Sequence, residues 1–178
     1  MKVINLFGGP GAGKSTTAAG LFWLLKNRGL RVELVTEYAK ALAWAKRGEE
    51  LSDQFYVYAK QHHRQHVLKG QVDFMVTDSP LLLTLLYTTK EQPASYRQFV
   101  IDTWNSYDNV SYFINRVKPY VQIGRFQNEL EADLLGNQTY QMLRELGINP
   151  VCVDGHSLSA NFIVDNLEQR GLLKCGSY

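Results

Sequence analysis

The sequence predicts a three-layer α/β fold built on a parallel β-sheet, and three observations lead there. Five short apolar runs alternate with helix-forming segments along the 178 residues, the pattern of repeated strand–helix–strand units. The first run, Lys2–Phe7, is apolar almost throughout, as a strand buried on both faces requires. Directly after it, Gly8-Gly9-Pro10-Gly11-Ala12-Gly13-Lys14-Ser15 fits the pattern G-x-x-x-x-G-K-[ST] at a strand-to-helix junction, with Thr16 following.

The elements follow in order. Lys14–Asn27 reads as the first helix, stopped by Arg28-Gly29, and Arg31–Thr36 as the second strand. Glu37–Arg47 has helix-forming composition. Gly48 interrupts it, and Leu51–Lys69 reads as one further helix, stopped by Gly70. Val72–Thr77 is the third strand and ends at Asp78. Ser79-Pro80 suits a helix start with Pro80 in its first position, continued by Leu81–Tyr87. Thr88–Pro93 is a polar loop, Ala94–Tyr107 a helix and Asn109–Ile114 the fourth strand. Arg116–Phe126 carries Pro119 and Gly124 and fits neither period. Gln127–Leu146 is a long helix, Pro150–Asp154 the fifth strand and Leu158–Gln169 the last helix. Neither repeats nor a linker divide the chain, so 1–178 reads as one domain, long enough to bury a substantial core. The apolar face of the 94–107 segment would serve either as a contact in a homodimer or as core.

Composition excludes little beyond the membrane. The formal net charge of +2 gives weak support to a polyanionic partner and excludes none. No apolar run approaches the roughly 18 residues of a membrane span and no leader is visible, so a cytoplasmic protein with no membrane partner is expected. Cys152 and Cys175 read as two idle thiols. Without a C-x-x-C pair a thiolate metal site is not expected.

The chemistry gathers at the C-terminal ends of the strands, where ligands of such sheets bind. Backbone N–H groups of Gly8–Thr16 would curl around nucleotide phosphates, Lys14 would reach the β and γ phosphates of ATP, and the Ser15 hydroxyl would coordinate Mg²⁺. Glu37 and Asp78 each follow an apolar strand ending in Thr. Phosphoryl transfer needs an organised Mg²⁺ and a carboxylate beside the attacking group. Asp78 is assigned to the metal and Glu37 to the base, with the exchanged roles left open; either carboxylate would otherwise cap the helix after it. Arg116, Lys118 and Arg125 make a basic lid over residues 116–126 that would offset charge developing during transfer, with Gln127 and Glu129 fastening it. Lys40, Gln54, Phe55, Tyr58 and Arg64 are the acceptor-site candidates, with Gln61 and His62 on the same helix. Arg64 or Lys40 would take a phosphate and Phe55 or Tyr58 would stack on a base. Asp154-Gly155-His156 would either pass near the adenine or cap the last helix through Asp154 or Ser157.

In this ordering of elements the chain resembles the thymidylate-kinase-like branch of P-loop kinases. The resemblance implies the strand order 2-3-1-4-5, places Glu37 at the acceptor hydroxyl and puts Arg116 and Arg125 near the transferring phosphate. Ordinary thymidylate kinases carry Asp-Arg after the third strand and Arg-Glu-Pro after the second, where this chain has Asp78-Ser79 and Glu37-Tyr38-Ala39-Lys40. Thr36–Lys40, Thr77–Leu82 and Arg116–Ala132 are more similar to small bacteriophage kinases, some of them 5-hydroxymethyluracil DNA kinases. That resemblance implies an ATP-dependent kinase acting on the base hydroxymethyl group in phage DNA, a step in thymidine hypermodification, in the host cytoplasm. The alternatives are a deoxynucleoside monophosphate kinase acting on a free nucleotide and an ATP-dependent binding or switch protein with no phosphoryl acceptor.

Overall fold

A computed structural model describes residues 1–125 and 127–173. Its strands are β1 (Lys2–Phe7), β2 (Val32–Val35), β3 (Phe74–Thr77), β4 (Asp108–Asn115) and β5 (Val151–Asp154). Its helices are α1 (Lys14–Asn27), α2 (Tyr38–Trp44), α3 (Gly48–Ser52), α4 (Gln54–His66), α5 (Ala94–Asn105), α6 (Glu129–Glu145) and α7 (Ser159–Gln169), with a 3₁₀ helix at Leu81–Tyr87. All strand pairs are parallel and the order is β2-β3-β1-β4-β5, as the resemblance implied.

The sheet is covered on both faces. On one, Ile4, Leu6, Tyr112 and Ile114 pack with Leu21 and Leu25 of α1 and with Ile163 and Leu167 of α7. On the other, Phe7 and Phe113 meet Leu81, Leu82 and Leu85, Val100 and Trp104 of α5, and Met142 and Leu143 of α6. Truncating a fully buried leucine such as Leu21 to Ala would cost roughly 2–5 kcal/mol. Asn5 interrupts the apolar run of β1, and its buried amide is satisfied by the Asn109 side chain at 2.9 Å and the Val3 carbonyl at 3.1 Å. Tyr96, Val100 and Trp104 turn the apolar face of α5 into this core.

Local chemistry moved several boundaries. The helix expected over Leu51–Lys69 is two helices, because the Asp53 carboxylate accepts from Tyr56 N–H at 3.0 Å and starts α4 afresh. Leu81–Tyr87 winds as a 3₁₀ helix rather than an α-helix, and Pro80 caps it instead of entering it. Spacing of three stacks Leu82 over Leu85, both buried. Helix α6 begins two residues later than expected, at a capping box in which Asn128 and Glu131 bond each other's backbone N–H at 3.0 and 2.8 Å. Residues 116–125 form an irregular loop. Cys175 and Phe126 lie outside the described residues. No helix among the described residues is long and apolar enough to cross a membrane.

Candidate active site

The phosphate loop joins β1 to α1. Gly13 caps α1 with φ 102°, a left-handed conformation open to glycine and strained for other residues, and its carbonyl accepts from Thr17 N–H at 2.9 Å. No acidic residue sits in the first turn of α1, so its positive dipole end is free for an anion. The Lys14 ammonium is folded back into the loop, donating to the carbonyls of Gly8 at 2.8 Å and Gly9 at 2.9 Å. Burial pulls its pKa below the ordinary 10.5, with help from Arg125 and Lys40, while the charges of Glu37 and Asp78 oppose the shift.

The loop after β5 supports this one from outside. Gly155 passes so close that a Cβ there would stand 2.0 Å from the Ala12 carbonyl oxygen. The neighbouring cap differs from the expected one: Leu158 N–H bonds His156 Nδ1 at 3.0 Å, and Ser159 Oγ takes His156 N–H at 2.9 Å. Asp154 instead accepts from the Asn115 amide at 3.0 Å.

A cleft of about 750 Å³ runs from the phosphate loop past Glu37 into a chamber between α4 and the 3₁₀ helix. Lys14, Ser15, Thr16 and Glu37 line it together. Glu37 precedes α2, and its carboxylate makes no capping bond. Burial pushes its carboxyl above the ordinary 4.5; the Asp78 charge adds to this, and Lys14, Lys40 and Arg125 oppose it. Asp78 is buried behind the cleft wall and does not cap the segment that follows it. Its Oδ1 accepts the Glu37 backbone N–H at 3.0 Å, and Ser79 N–H goes to Thr77 Oγ1 at 3.1 Å.

The lid cations divide. Arg125 and Lys118 line the cleft, and the Arg125 guanidinium is held by the carbonyls of Val121 and Ile123. Arg116 is not part of the cleft wall: it pairs with Glu129 at 2.6 Å and with Asp133. Both guanidinium groups lie over the Tyr120 ring, at 5.4 Å for Arg116 and 5.8 Å for Arg125. Tyr120 in turn rests on Gly11 and donates its hydroxyl to the Gln127 carbonyl at 2.6 Å.

The acceptor candidates also divide. Lys40, Gln54 and Tyr58 line the cleft. Phe55 does not; it packs edge-on against Tyr96 at 5.0 Å. Arg64 does not either; it lies over the Tyr38 ring at 4.9 Å and donates to the Thr36 carbonyl at 3.2 Å. On a helix, neighbours of a lining residue point elsewhere, and composition does not reveal the rotation.

Sequence reasoning missed two residues. Tyr87 lines the chamber at the end of the 3₁₀ helix; the residue is 42% exposed overall, and partial burial, then the Glu37 carboxylate, push its phenol up. Trp44 at the end of α2 lies against Gly124, where a Cβ would stand 2.5 Å from the indole. Nothing in the sequence links positions that far apart.

Among the described residues no group of three or more His, Cys, Asp or Glu side chains is placed to hold a metal ion. The hard oxygen donors nearby, Ser15 in the cleft and Asp78 behind it, suit Mg²⁺ that takes most of its ligands from phosphate and water.

Comparison with known proteins finds solved structures that share this fold. A deoxyadenosine kinase from M. mycoides with dCMP and dCDP bound superimposes with a TM-score of 0.55 at 17% identity, over 95% of this chain and 100% of the other. The NadR protein in complex with NAD and AMP-PNP gives 0.61 at 15% identity, over 99% of this chain and 51% of the other. Shikimate kinase from Aquifex aeolicus gives 0.53 at 15%, over 98% and 100%. At these identities the likeness is one of fold. A sequence search of curated proteins finds no match. A family model described as an AAA domain matches residues 3–159. The chain therefore belongs to the AAA-domain family, and its sheet order and flanking helices have the topology of P-loop kinases.

Proposed function

We propose that the protein transfers the γ-phosphoryl group of ATP to a hydroxyl of a free, nucleotide-like acceptor seated between α4 and the 3₁₀ helix. The observation that carries this reading is the continuity of the cleft, which the phosphate loop and Glu37 line together with the chamber beyond them. A phosphate acceptor arrives already ionised and needs no base, and a carboxylate beside it would repel it. A hydroxyl must lose a proton, and Glu37 is placed to take it.

In the reaction the acceptor oxygen attacks the γ phosphorus while its proton passes to the Glu37 carboxylate. The bond to the β–γ bridging oxygen breaks, and ADP leaves with that electron pair. Lys14, released from the carbonyls of Gly8 and Gly9, meets the β and γ phosphates, and Arg125 offsets charge on the equatorial oxygens. Ser15, with Asp78 nearby, would hold a Mg²⁺ bound with the nucleotide, and such an ion would offset phosphate charge. The loop 116–125 acts as the lid, excluding water that would otherwise accept the phosphoryl group.

The deoxyadenosine kinase with bound dCMP, whose fold the chain shares, supports a free nucleoside-like acceptor. A second reading keeps the same chemistry but places the hydroxyl on 5-hydroxymethyluracil in DNA. It is favoured by Ser79, which lines the cleft at the position where the thymidylate kinases that the chain resembles carry an arginine. It requires the base to be turned out of the helix into the chamber. Transfer from γ-labelled ATP to deoxyadenosine, 5-hydroxymethyl-dUMP, dTMP and hydroxymethyluracil DNA tests these readings. Label on a free hydroxyl acceptor supports the first, label on the DNA alone the second. Hydrolysis without transfer would leave a binding or switch protein.

A further inference from the structure

The proposed chemistry needs Glu37 to stand in the cleft, yet its side chain makes no capping bond that would fix it there. The backbone around it is held instead. On one side Glu37 N–H goes to Asp78 at 3.0 Å. On the other, the carboxamide of Gln61 accepts from Tyr38 N–H at 2.9 Å and donates to the Thr36 carbonyl at 3.5 Å. Gln61 thus bonds the residue before Glu37 and the residue after it. The Gln61 side chain reaches the turn from α4, 23 positions away from Tyr38. It is 5% exposed, so these bonds are made away from competing water. Arg64, one helical turn further along, adds a bond to the same Thr36 carbonyl at 3.2 Å.

We propose that Gln61 is a positioning residue for Glu37: its carboxamide clamps the turn between β2 and α2 and sets where the carboxylate stands in the cleft. The inference rests on reading Glu37 as the base. Tyr38 opens α2, a helix of seven residues, and its N–H is one of those that no intrahelical carbonyl can satisfy. Gln61 is the partner it finds. With that acceptor removed, an enclosed N–H is left unpaired and the turn relaxes toward water. A displacement of the base of about 1 Å is enough to slow transfer by roughly 100-fold. Gln54, Tyr58 and Gln61 all line the cleft from α4, so the helix that seats the acceptor also holds the base that activates it.

The test compares Gln61→Met, Gln61→Glu and Glu37→Gln with the wild type. Methionine fills the same space without hydrogen bonds; glutamate keeps an acceptor for Tyr38 N–H and loses the donor to Thr36. Kinetics use whichever of deoxyadenosine, 5-hydroxymethyl-dUMP or hydroxymethyluracil DNA takes label. Gln61→Met is expected to lower kcat about 10- to 100-fold with the ATP KM within about twofold, and Gln61→Glu to recover part of the loss. Amide exchange across Thr36–Tyr38, which needs no acceptor, should quicken in the methionine variant and stay near wild type in the glutamate variant. Wild-type kcat in Gln61→Met, beside a slow Glu37→Gln, overturns the clamp alone. Parallel loss of kcat and ATP affinity in both Gln61 variants also overturns it, as general damage. An unimpaired Glu37→Gln, or no label on any acceptor, overturns the reading of Glu37 and the clamp with it.

Discussion

The backbone N–H of Glu37 donates to the Asp78 carboxylate at 3.0 Å, tying the end of β2 to the end of β3. The two strands are parallel neighbours, with Val35 beside Thr77, so the residues just beyond them come together at one edge of the cleft. One carboxylate faces the cleft while the other, behind it, holds the backbone of the first. That arrangement gives two residues with the same functional group different surroundings.

Asp78→Ala removes this acceptor, and Asp78→Asn keeps an oxygen for it. In nucleotide-free protein the alanine variant should lose about 1–3 kcal/mol of stability and the asparagine variant less, by urea unfolding. Equal losses would show that the bond to Glu37 N–H is not what Asp78 contributes.

Glu37→Gln should lower kcat about 100-fold or more while ATP binding holds, by steady-state kinetics and nucleotide titration. It should also change stability with pH. The Glu37 carboxyl sits above its ordinary 4.5, so the folded protein holds this proton more tightly than the unfolded chain does. Stability therefore falls as pH climbs from 4.5 through the raised value, and the cost is complete above it. Glutamine carries no such cost. The variant should melt above the wild type at neutral pH, and the difference should vanish in acid.

Lys14→Ala and Arg125→Ala remove the two cleft cations assigned to the phosphates. The first should reduce transfer about 100-fold or more and weaken ATP binding; the second should reduce kcat by roughly 10-fold or more. Arg116→Ala should act less on kcat than Arg125→Ala, because Arg116 stands outside the cleft wall, paired with Glu129 and Asp133. Initial rates across an ATP titration decide all three, and a reversed order for the two arginines would reassign them.

Gly124→Val places a side chain in the space of the Trp44 ring, at a residue whose φ is 74°. The loop should then leave the indole, and Trp44 emission, read against Trp44→Phe, should shift slightly to the red, since that residue is already 61% exposed, with a higher KM for the acceptor. An unchanged spectrum would mean that the contact is not a stable one in solution.

The sheet and the phosphate loop were legible because each depends on short-range signals: apolar runs, a glycine spacing and the Lys14-Ser15 pair. Glu37 and Asp78 were legible as carboxylates just past strands. Their assignment to base and metal was read from the sequence with the exchange left open, and the bond between them, across 41 positions, had no sequence signal. Arg64 and Phe55 lie on the helix that lines the chamber but on other faces of it, and the rotation of α4 is set where Asp53 begins it. Tyr87 and Trp44 carry no local motif, and only the folded chain brings Tyr87 to the cleft and Trp44 against Gly124.

Transfer of label from γ-labelled ATP to a hydroxyl acceptor, by wild-type protein and by Glu37→Gln side by side, tests the central claim most directly. The account predicts a labelled free nucleoside or nucleotide hydroxyl with the wild type and a loss of about 100-fold with the variant. Labelled inorganic phosphate as the sole product, or equal transfer by the two proteins, would contradict it.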